Sequence, residues 1–416
     1  MDATLSHLVE SFKGTQGAAL AVALSFGLLL LTVLQYASMP QKSVGTSLPL
    51  KIEALYFYPV KGLRGCELKQ GKIGPLGFEY DRTFCLQKVH RDPETNEVKR
   101  LETMFSGFHL RMVLFSTRLE DSPDGEGRDI VITWTGPEDS GSSHKSAKEI
   151  RFPLRPRSDA LEKVHVDLYG ATTDAYDMGD SISAWFSSYL GFEARLIHLG
   201  PNSRPVLGSG APHSEQAVRK SLPPVAYAIH RFLVPPFLKQ KSERISFADM
   251  GQYLVVTSES NAEVGRRLRE TDPSAGDVQM DITKFRPNVI VSGSPAPFDE
   301  EYWAELRFPG GTQMALTGNC LRCQSITVDY ETGKPATDVR GQAWKKLSKD
   351  RRVDKGCTFM PVFGRYGYSP ASNIGREIHV GDEAVLTRRN RDRTIFGEFN
   401  AFFRTSTFTT KISTLT

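Results

Sequence analysis

The sequence predicts an α+β, mainly β protein built from a β-rich N-terminal domain, a second barrel-like β domain and one N-terminal transmembrane helix. Three observations predict it. Short runs of β-branched and aromatic residues recur along the chain between Gly, Pro, Asp and Ser punctuation. Helical periodicity is confined to a few short stretches. From Gly14 to Gln41 there is no charged residue. Setting that N-terminal region aside leaves about 370 of the 416 residues, room for two domains of ~150 residues each.

The apolar stretch Ala18–Ala37 has the ~20 residues that a bilayer-spanning helix needs. It is longer than the ~7–15 apolar residues of a cleaved signal peptide. Lys42, Lys51, Lys61 and Arg64 follow it, which places the large domain on the cytosolic side of a membrane. The chain therefore divides into a tail (1–16), an anchor (17–38), a linker (39–50), a β-rich domain (51–199), a proline-rich insertion (200–245), a second β domain (246–388) and a basic, Ser/Thr-rich tail (389–416), where partial disorder is expected.

Lys51–Val60 reads as the first strand, followed by strands at Arg82–Gln87, Leu110–Thr117, Asp129–Trp134 and Glu149–Pro153. Gly136–Lys148 reads as a polar loop. A helix opens at Asp180, with Ile182, Trp185, Phe186 and Tyr189 on one face and Gly191 as a left-handed stop. In the second domain Tyr253–Val256 is a buried strand, and Ser260 with Glu263 forms a capping box for a helix over Ala262–Arg269. Val289–Ser292, Ala304–Phe308, Gln324–Asp329 and Ile378–Leu386 complete the strands.

With 39% hydrophobic and 24% charged residues the bulk of the chain is globular. The 52 basic residues exceed the 48 acidic ones by too little to imply a nucleic-acid partner. Cys66, Cys85, Cys320, Cys323 and Cys357 are odd in number and sparse, which argues for a reducing compartment and against a disulfide framework. A working cysteine here acts as a thiolate.

The segment Asn319–Gly333 (NCLRCQSITVDYETG) carries the most chemistry. A zinc site needs four ligands, and no second CxxC exists; Cys357 and His379 would have to join at irregular spacing. A thioredoxin-like pair needs a helix after the CxxC, whereas β-branched residues follow. Two plain buried cysteines are a third reading. The fourth is one thiolate on a soft metal carried by a cofactor, with Arg322 lowering the thiol pKa and holding an anion.

Five ordered motifs bear on that choice: Tyr58-Pro59-Val60-Lys61 with Gly65, Asp81-Arg82 with Phe84, Lys284-Phe285-Arg286-Pro287-Asn288, Arg322-Cys323 followed by Thr327-Val328-Asp329 and Thr332-Gly333, and Phe363-Gly364 with Tyr366 and Val380-Gly381-Asp382. In these the chain resembles the MOSC-domain proteins, and within them the mitochondrial amidoxime-reducing component family of molybdenum enzymes. The resemblance runs from about Lys51 to Leu386, with one long insertion in the Gly200–Arg244 stretch.

It implies a MOSC-type N-terminal β domain, a MOSC barrel, a mitochondrial outer-membrane location and the molybdenum cofactor (molybdenum bound to molybdopterin). The wider superfamily adds an association with pyridoxal phosphate. Cys323 is implied as the catalytic thiolate on molybdenum, and Lys61, Arg82, Arg286, Asn288 and Arg322 as holding the pterin and its phosphate. The residue types suit this, because Arg forks grip phosphate, Lys adds a point charge, and Asn offers a donor and an acceptor to a heterocycle. Pro287 biases Arg286 toward extended backbone. Gly62, where relatives often carry a hydroxyl, and Asp249-Met250-Gly251-Gln252, in place of Asp-Thr-Ser-Pro, depart from the pattern; Gly62, Met250 and Gly251 stand at cofactor-binding positions, where Met250 and Gly251 still serve if binding is through backbone amides and two hydrogen bonds are lost if it is through hydroxyls. Leu321 replaces a small or polar residue.

Taken singly, Lys61 reads as a surface lysine, Arg82 as paired with Asp81, and Cys320, His198 and His379 as structural. The resemblance implies an oxidoreductase that removes oxygen from small N-hydroxylated substrates, with electrons from cytochrome b5 and its NADH-dependent reductase. An acidic haem protein would dock near Arg64 and Lys69. The alternatives are a MOSC sulfur carrier in cofactor sulfuration, using the same cysteine as a persulfide, and a non-catalytic membrane-tethered binding module.

Overall fold

A computed structural model of the chain describes residues 43–125, 127–137, 148–272 and 276–395, together with Gly27. It divides into two compact units, one of residues 43–214 with 242–416, the other of 1–42 with 215–241.

The larger unit is mainly β. Strand β1 (Ser43–Phe57) starts earlier than the predicted strand, inside the expected linker, because residues 383–390 pair with its first half and Leu48 and Leu50 join the apolar core there. Next come β2 (Phe84–Arg91), β3 (Val98–Thr103), β4 (Phe115–Asp121), β5 (Arg128–Trp134), β6 (Glu149–Pro153), β7 (Lys163–Leu168), β8 (Ala171–Asp177), helix α1 (Asp180–Leu190) and β9 (Ala194–His198). They form an antiparallel five-stranded sheet ordered β7-β8-β9-β2-β3 and a meander β4-β5-β6. Alternate residues of β5 and β4 turn inward, so Phe115, Ile130, Ile132 and Trp134 meet Trp185 and Phe186 of α1 in one core. Each large side chain so buried stabilises the fold by about 1.5–3 kcal/mol. Helix α1 ends at Gly191 (φ 80°), as its sequence predicts, while Gly179 rather than Asp180 holds the N-cap position.

In the smaller unit, helices α2 (Glu215–Ser221) and α3 (Pro224–Phe232) occupy the proline-rich insertion. Pro223 and Pro224 set the start of α3, and Tyr227 donates to the Glu215 carboxylate at 2.9 Å.

The larger unit resumes with β10 (Tyr253–Thr257), helix α4 (Ser258–Arg269), β11 (Val289–Ser292), β12 (Trp303–Arg307), β13 (Gln313–Leu321), helix α5 (Ala343–Ser348), β14 (Val362–Tyr368) and β15 (Glu383–Asn390). Strand β1 pairs with β15 on one side and β11 on the other, closing a seven-stranded barrel β1-β11-β10-β14-β13-β12-β15. Only β10 and β11 run parallel. Ile52, Tyr253, Val255, Val291 and Leu316 share one core, while Leu254, Val256 and Ile290 pack in another with Val264, Leu268 of α4 and Leu347 of α5. Hence β10 is apolar on both faces and fully buried.

Several expectations are corrected. No helix among the described residues is long and apolar enough to cross a membrane. The single-pass anchor expected over residues 17–38 is thus not supported, nor is the outer-membrane location that the resemblance implied; residues 17–38, Gly27 apart, lie outside the described residues, as do most of 136–148 and the end of the 389–416 tail. Gln324–Thr327 is a 3-10 turn instead of a strand, since Thr327 returns its hydroxyl to the Gln324 carbonyl at 2.7 Å. Helix α4 begins before the capping box, with Thr257 as N-cap accepting from the Ser260 amide at 3.2 Å.

Candidate functional site

Lys61, Gly62, Arg82, Met250, Gly251, Arg286, Asn288, Arg322 and Cys323 all line one cavity of about 600 Å³. Six cations line it (these four arginines and lysines, Lys284 and Arg352) against one carboxylate, Asp249, among the described residues. Such a cavity attracts an anion.

One wall is built from turns. Lys61 follows an isolated bridge between Val60 and Phe84, and its amide donates to the Phe84 carbonyl at 2.8 Å. Its buried ammonium pairs with Asp249 and lies 5.3 Å from the Phe105 ring. Burial lowers the Lys61 pKa against the pull of Asp249. Burial works on Asp249 in the raising direction, but Lys61, Arg82 and Tyr169 together bring it down to about 2. Tyr169 donates to that carboxylate at 3.0 Å from a hairpin turn in which Tyr169 (φ 60°) and Gly170 (φ 81°) are both left-handed. Fully buried Arg204 ties this hairpin to the 246–249 loop, donating to the Leu168, Ser246 and Ala248 carbonyls at 2.9, 3.0 and 2.5 Å. Gly62 has φ 85°, which strains any other residue, and a Cβ there would stand 2.6 Å from the Met112 methyl, which would have to move aside.

Arg82, itself left-handed at φ 53°, pairs with buried Asp81, donates to the Asn288 side-chain oxygen at 3.1 Å and stacks 4.8 Å from the Tyr58 ring. Asn288 is engaged at both ends of its amide: it accepts from the Leu254 amide and donates to the Tyr56 carbonyl, both at 3.1 Å. It stitches β1 to β10 beside the cavity instead of presenting two free edges. Arg286 departs from the extended backbone expected before Pro287. It is left-handed (φ 53°) at the end of the 3-10 turn Ile282–Phe285, held by its amide on the Thr283 carbonyl and by its guanidinium on the Gly62 carbonyl at 2.7 Å. Its buried Nε has no partner.

The opposite wall carries the thiol. Arg322 directs Nη1 to the Phe285 carbonyl (2.8 Å) and Nε and Nη2 to the Phe363 carbonyl (2.9 and 2.7 Å), so its fork holds backbone. Those bonds fix the strand end from which Cys323 emerges, exposed, with its sulfur 3.1 Å from the Ser325 hydroxyl. Burial raises the thiol pKa of the other four cysteines, to about 12 for Cys66 and Cys85 and about 11 for Cys357. Gly107 faces the Cys323 sulfur, and a Cβ there would lie 3.2 Å away. The Met250 carbonyl accepts from the Tyr368 hydroxyl, and Gly251 packs so that a Cβ would meet Tyr366 at 2.9 Å.

Sequence reasoning passed over Lys284, Asp249 and Tyr169. Lys284 was visible inside its motif; it is largely buried with its ammonium 5.4 Å from the Tyr330 ring, and burial lowers its pKa. Among the described residues no cluster of three or more His, Cys, Asp or Glu side chains could hold a metal ion.

Comparison with known proteins adds to this geometry. The family described as MOSC N-terminal beta barrel domain matches residues 50–193, and that described as MOSC domain matches residues 242–385. The human molybdenum cofactor sulfurase is 25% identical over 309 residues, 73% of this chain but only 29% of the sulfurase. The human mitochondrial amidoxime-reducing component 1 is 24% identical over 341 residues, 80% of this chain and 82% of that protein. Among solved structures, the YUAD protein from Bacillus subtilis covers 84% of this chain at 8% identity with a TM-score of 0.30, too low to bear on the fold.

Proposed function

From a chain that belongs to the MOSC-domain proteins, carrying a MOSC N-terminal β barrel domain and a MOSC domain, we propose a molybdenum-cofactor-dependent oxidoreductase. Its substrates are small N-hydroxylated compounds of the amidoxime type, and its electrons come from cytochrome b5 and an NADH-dependent reductase. The observation that carries this reading is the one exposed cysteine, Cys323, in the wall of a cavity with six cations and one carboxylate.

The residues present suit a phosphorylated pterin. The unpartnered Nε of Arg286 is a buried donor that the protein leaves unsatisfied, which is costly unless a ligand accepts from it. The bare face of Gly107 keeps space open beside the Cys323 sulfur. Lys61, Lys284 and Arg286 would hold the phosphate and pterin; Arg82, Asn288 and Arg322 position the walls. When bound, the cofactor supplies two-electron redox chemistry at molybdenum. Cys323 gives it a soft sulfur donor, with the Ser325 hydroxyl placed to hydrogen-bond the thiolate. Phe108, Leu110, Phe359 and Met360 line the same cavity and suit the apolar body of an aryl amidoxime.

Molybdenum near one per chain, lost in Cys323→Ser, is the expected analysis of purified protein. Benzamidoxime reduction supported by cytochrome b5 and its reductase should vanish in Cys323→Ala; equal activity in wild type and variant refutes the proposal. The accessibility of Cys323 also suits a sulfur carrier, a reading that the sulfurase likeness supports. Metal-free protein carrying a persulfide at Cys323, seen by mass spectrometry, would decide for it.

A further inference from the structure

Beside the mouth of the cleft lies a second concavity of about 440 Å³, whose lining includes Lys345, Lys346, Lys349 and Arg352 and no carboxylate. Lys345 and Lys349 stand four positions apart at the end of α5, the spacing that aligns side chains on one helix face, Arg352 follows in the loop beyond it, and all three are exposed. Among the described residues none of Lys345, Lys346, Lys349 and Arg352 makes an ion pair or side-chain hydrogen bond, and the Arg352 guanidinium lies 5.7 Å from the Trp344 ring. The acids close in sequence are already committed. Asp350 takes a forked pair from Arg267 at 2.7 and 3.0 Å, and buried Asp354 accepts from Asn319 at 3.1 Å. The positive charge of this patch is therefore uncompensated, whereas exposed Glu67 sits between Arg64 and Lys69 on the surface where docking was expected.

The patch is joined to the thiol wall. Arg352 lines both concavities, and Trp344, next to Lys345, lines the cleft and donates its indole N–H to the Arg322 carbonyl at 2.8 Å. Arg322 is bonded to Cys323. A partner seated on the lysines is thus one aromatic side chain and one hydrogen bond away from the residue that precedes the thiol.

We propose that Lys345, Lys346, Lys349 and Arg352 form the docking surface for the protein that delivers electrons, a partner presenting a cluster of carboxylates. This rests on the reductase reading above and names where its donor binds. Uncompensated lysines on an open surface steer an acidic partner at long range, and such association weakens as salt rises. A small anion would need a more enclosed, hydrogen-bonding site than two exposed lysines and the half-buried Lys346 provide.

The test is binding of cytochrome b5 to the full-length protein, measured by surface plasmon resonance at low and high ionic strength. Wild type should bind, and less tightly in high salt. The triple variant Lys345→Glu, Lys346→Glu, Lys349→Glu should bind at least tenfold more weakly, with its molybdenum content and its reduction by a small dye unchanged. Lys69→Glu should bind as wild type does. A triple variant that binds as wild type does, a wild type that does not bind, or a loss in Lys69→Glu equal to that of the triple variant overturns the inference. Absence of molybdenum from wild type counts against the cofactor reading alone, because binding is measured separately from metal.

Discussion

The two halves of the larger unit are stabilised by opposite means. Around α1, Phe115 stands within 5.0 to 5.7 Å of the rings of Trp134, Phe186 and Trp185, an interior of aromatics packed edge-on and tilted. At the barrel, Arg365 is fully buried and reaches the Trp303 carbonyl (2.6 Å), the Asn319 side chain (2.8 Å) and the Leu316 carbonyl (3.2 Å). Around it Glu301 pairs with Arg351 and Arg393, and Asp299 with Arg389. The first core needs only apolar volume. The second depends on buried charges and carbonyls finding partners, an arrangement that suits strands that must hold a cavity open rather than fill it.

The comparison breaks most readily at Phe115. Phe115→Ala should cost about 3–5 kcal/mol in denaturant unfolding, most of it regained in Phe115→Leu, because the loss is volume. Arg365→Met should cost about 2–4 kcal/mol although it keeps volume, because it strands buried carbonyls. Combined with Asn319→Ala it should cost less than the two single changes added together. If Arg365→Met proves neutral, the barrel network is ornamental to stability and the contrast fails.

pH separates the halves more finely. Burial pushes the Glu300 carboxyl of the barrel, which accepts from Ser260 at 2.8 Å, from 4.5 up to about 7. The folded state therefore keeps this proton better than the unfolded chain. Its contribution is full below about pH 4.5 and lost as pH rises through about 7. Burial brings His198, 4.6 Å from the Phe84 ring on the aromatic side, from 6.5 down to about 4. Its contribution is full above about pH 6.5 and lost as pH falls through about 4. Each is on the order of 2–3 kcal/mol. The two windows overlap and oppose, so stability should be nearly flat between about pH 4.5 and 6.5 in wild type, should rise with pH there in Glu300→Gln, and should fall with pH there in His198→Leu. The smallest effect, about 1 kcal/mol, is expected for the N-cap change Thr257→Ala.

What could be read from the sequence follows the same division. The strands at Asp129–Trp134 and Glu149–Pro153, helix α1 and its Gly191 stop declare themselves through alternation, periodicity and a terminal glycine. The start of β1 does not, since Ser43–Pro49 has the composition of a linker and is a strand only because β15 lies beside it. Gln324–Thr327 has strand propensity, overridden by a local hydroxyl bond. All nine residues singled out for a site gather around one cavity, because motifs far apart in sequence converge on strand ends and turns. Their division of labour was hidden. Arg322 and Asn288 hold backbone, while Lys284 keeps its charge for the cavity, and no motif distinguishes an arginine facing a ligand from one facing a carbonyl.

The register of β1 against β15, Ser43 opposite Asn390 and Lys51 opposite Glu383, bears on the order of events during synthesis. A ribosome delivers the first barrel strand long before the last, so the aromatic half can assemble while the barrel still lacks a stave. Until residues 383–390 have emerged, β1 has no partner on that edge and the cleft walls it supports are unfinished. Loading of any cofactor therefore waits for that last strand, and every chain passes through an empty, open-barrelled stage in which Cys323 is present before its pocket is.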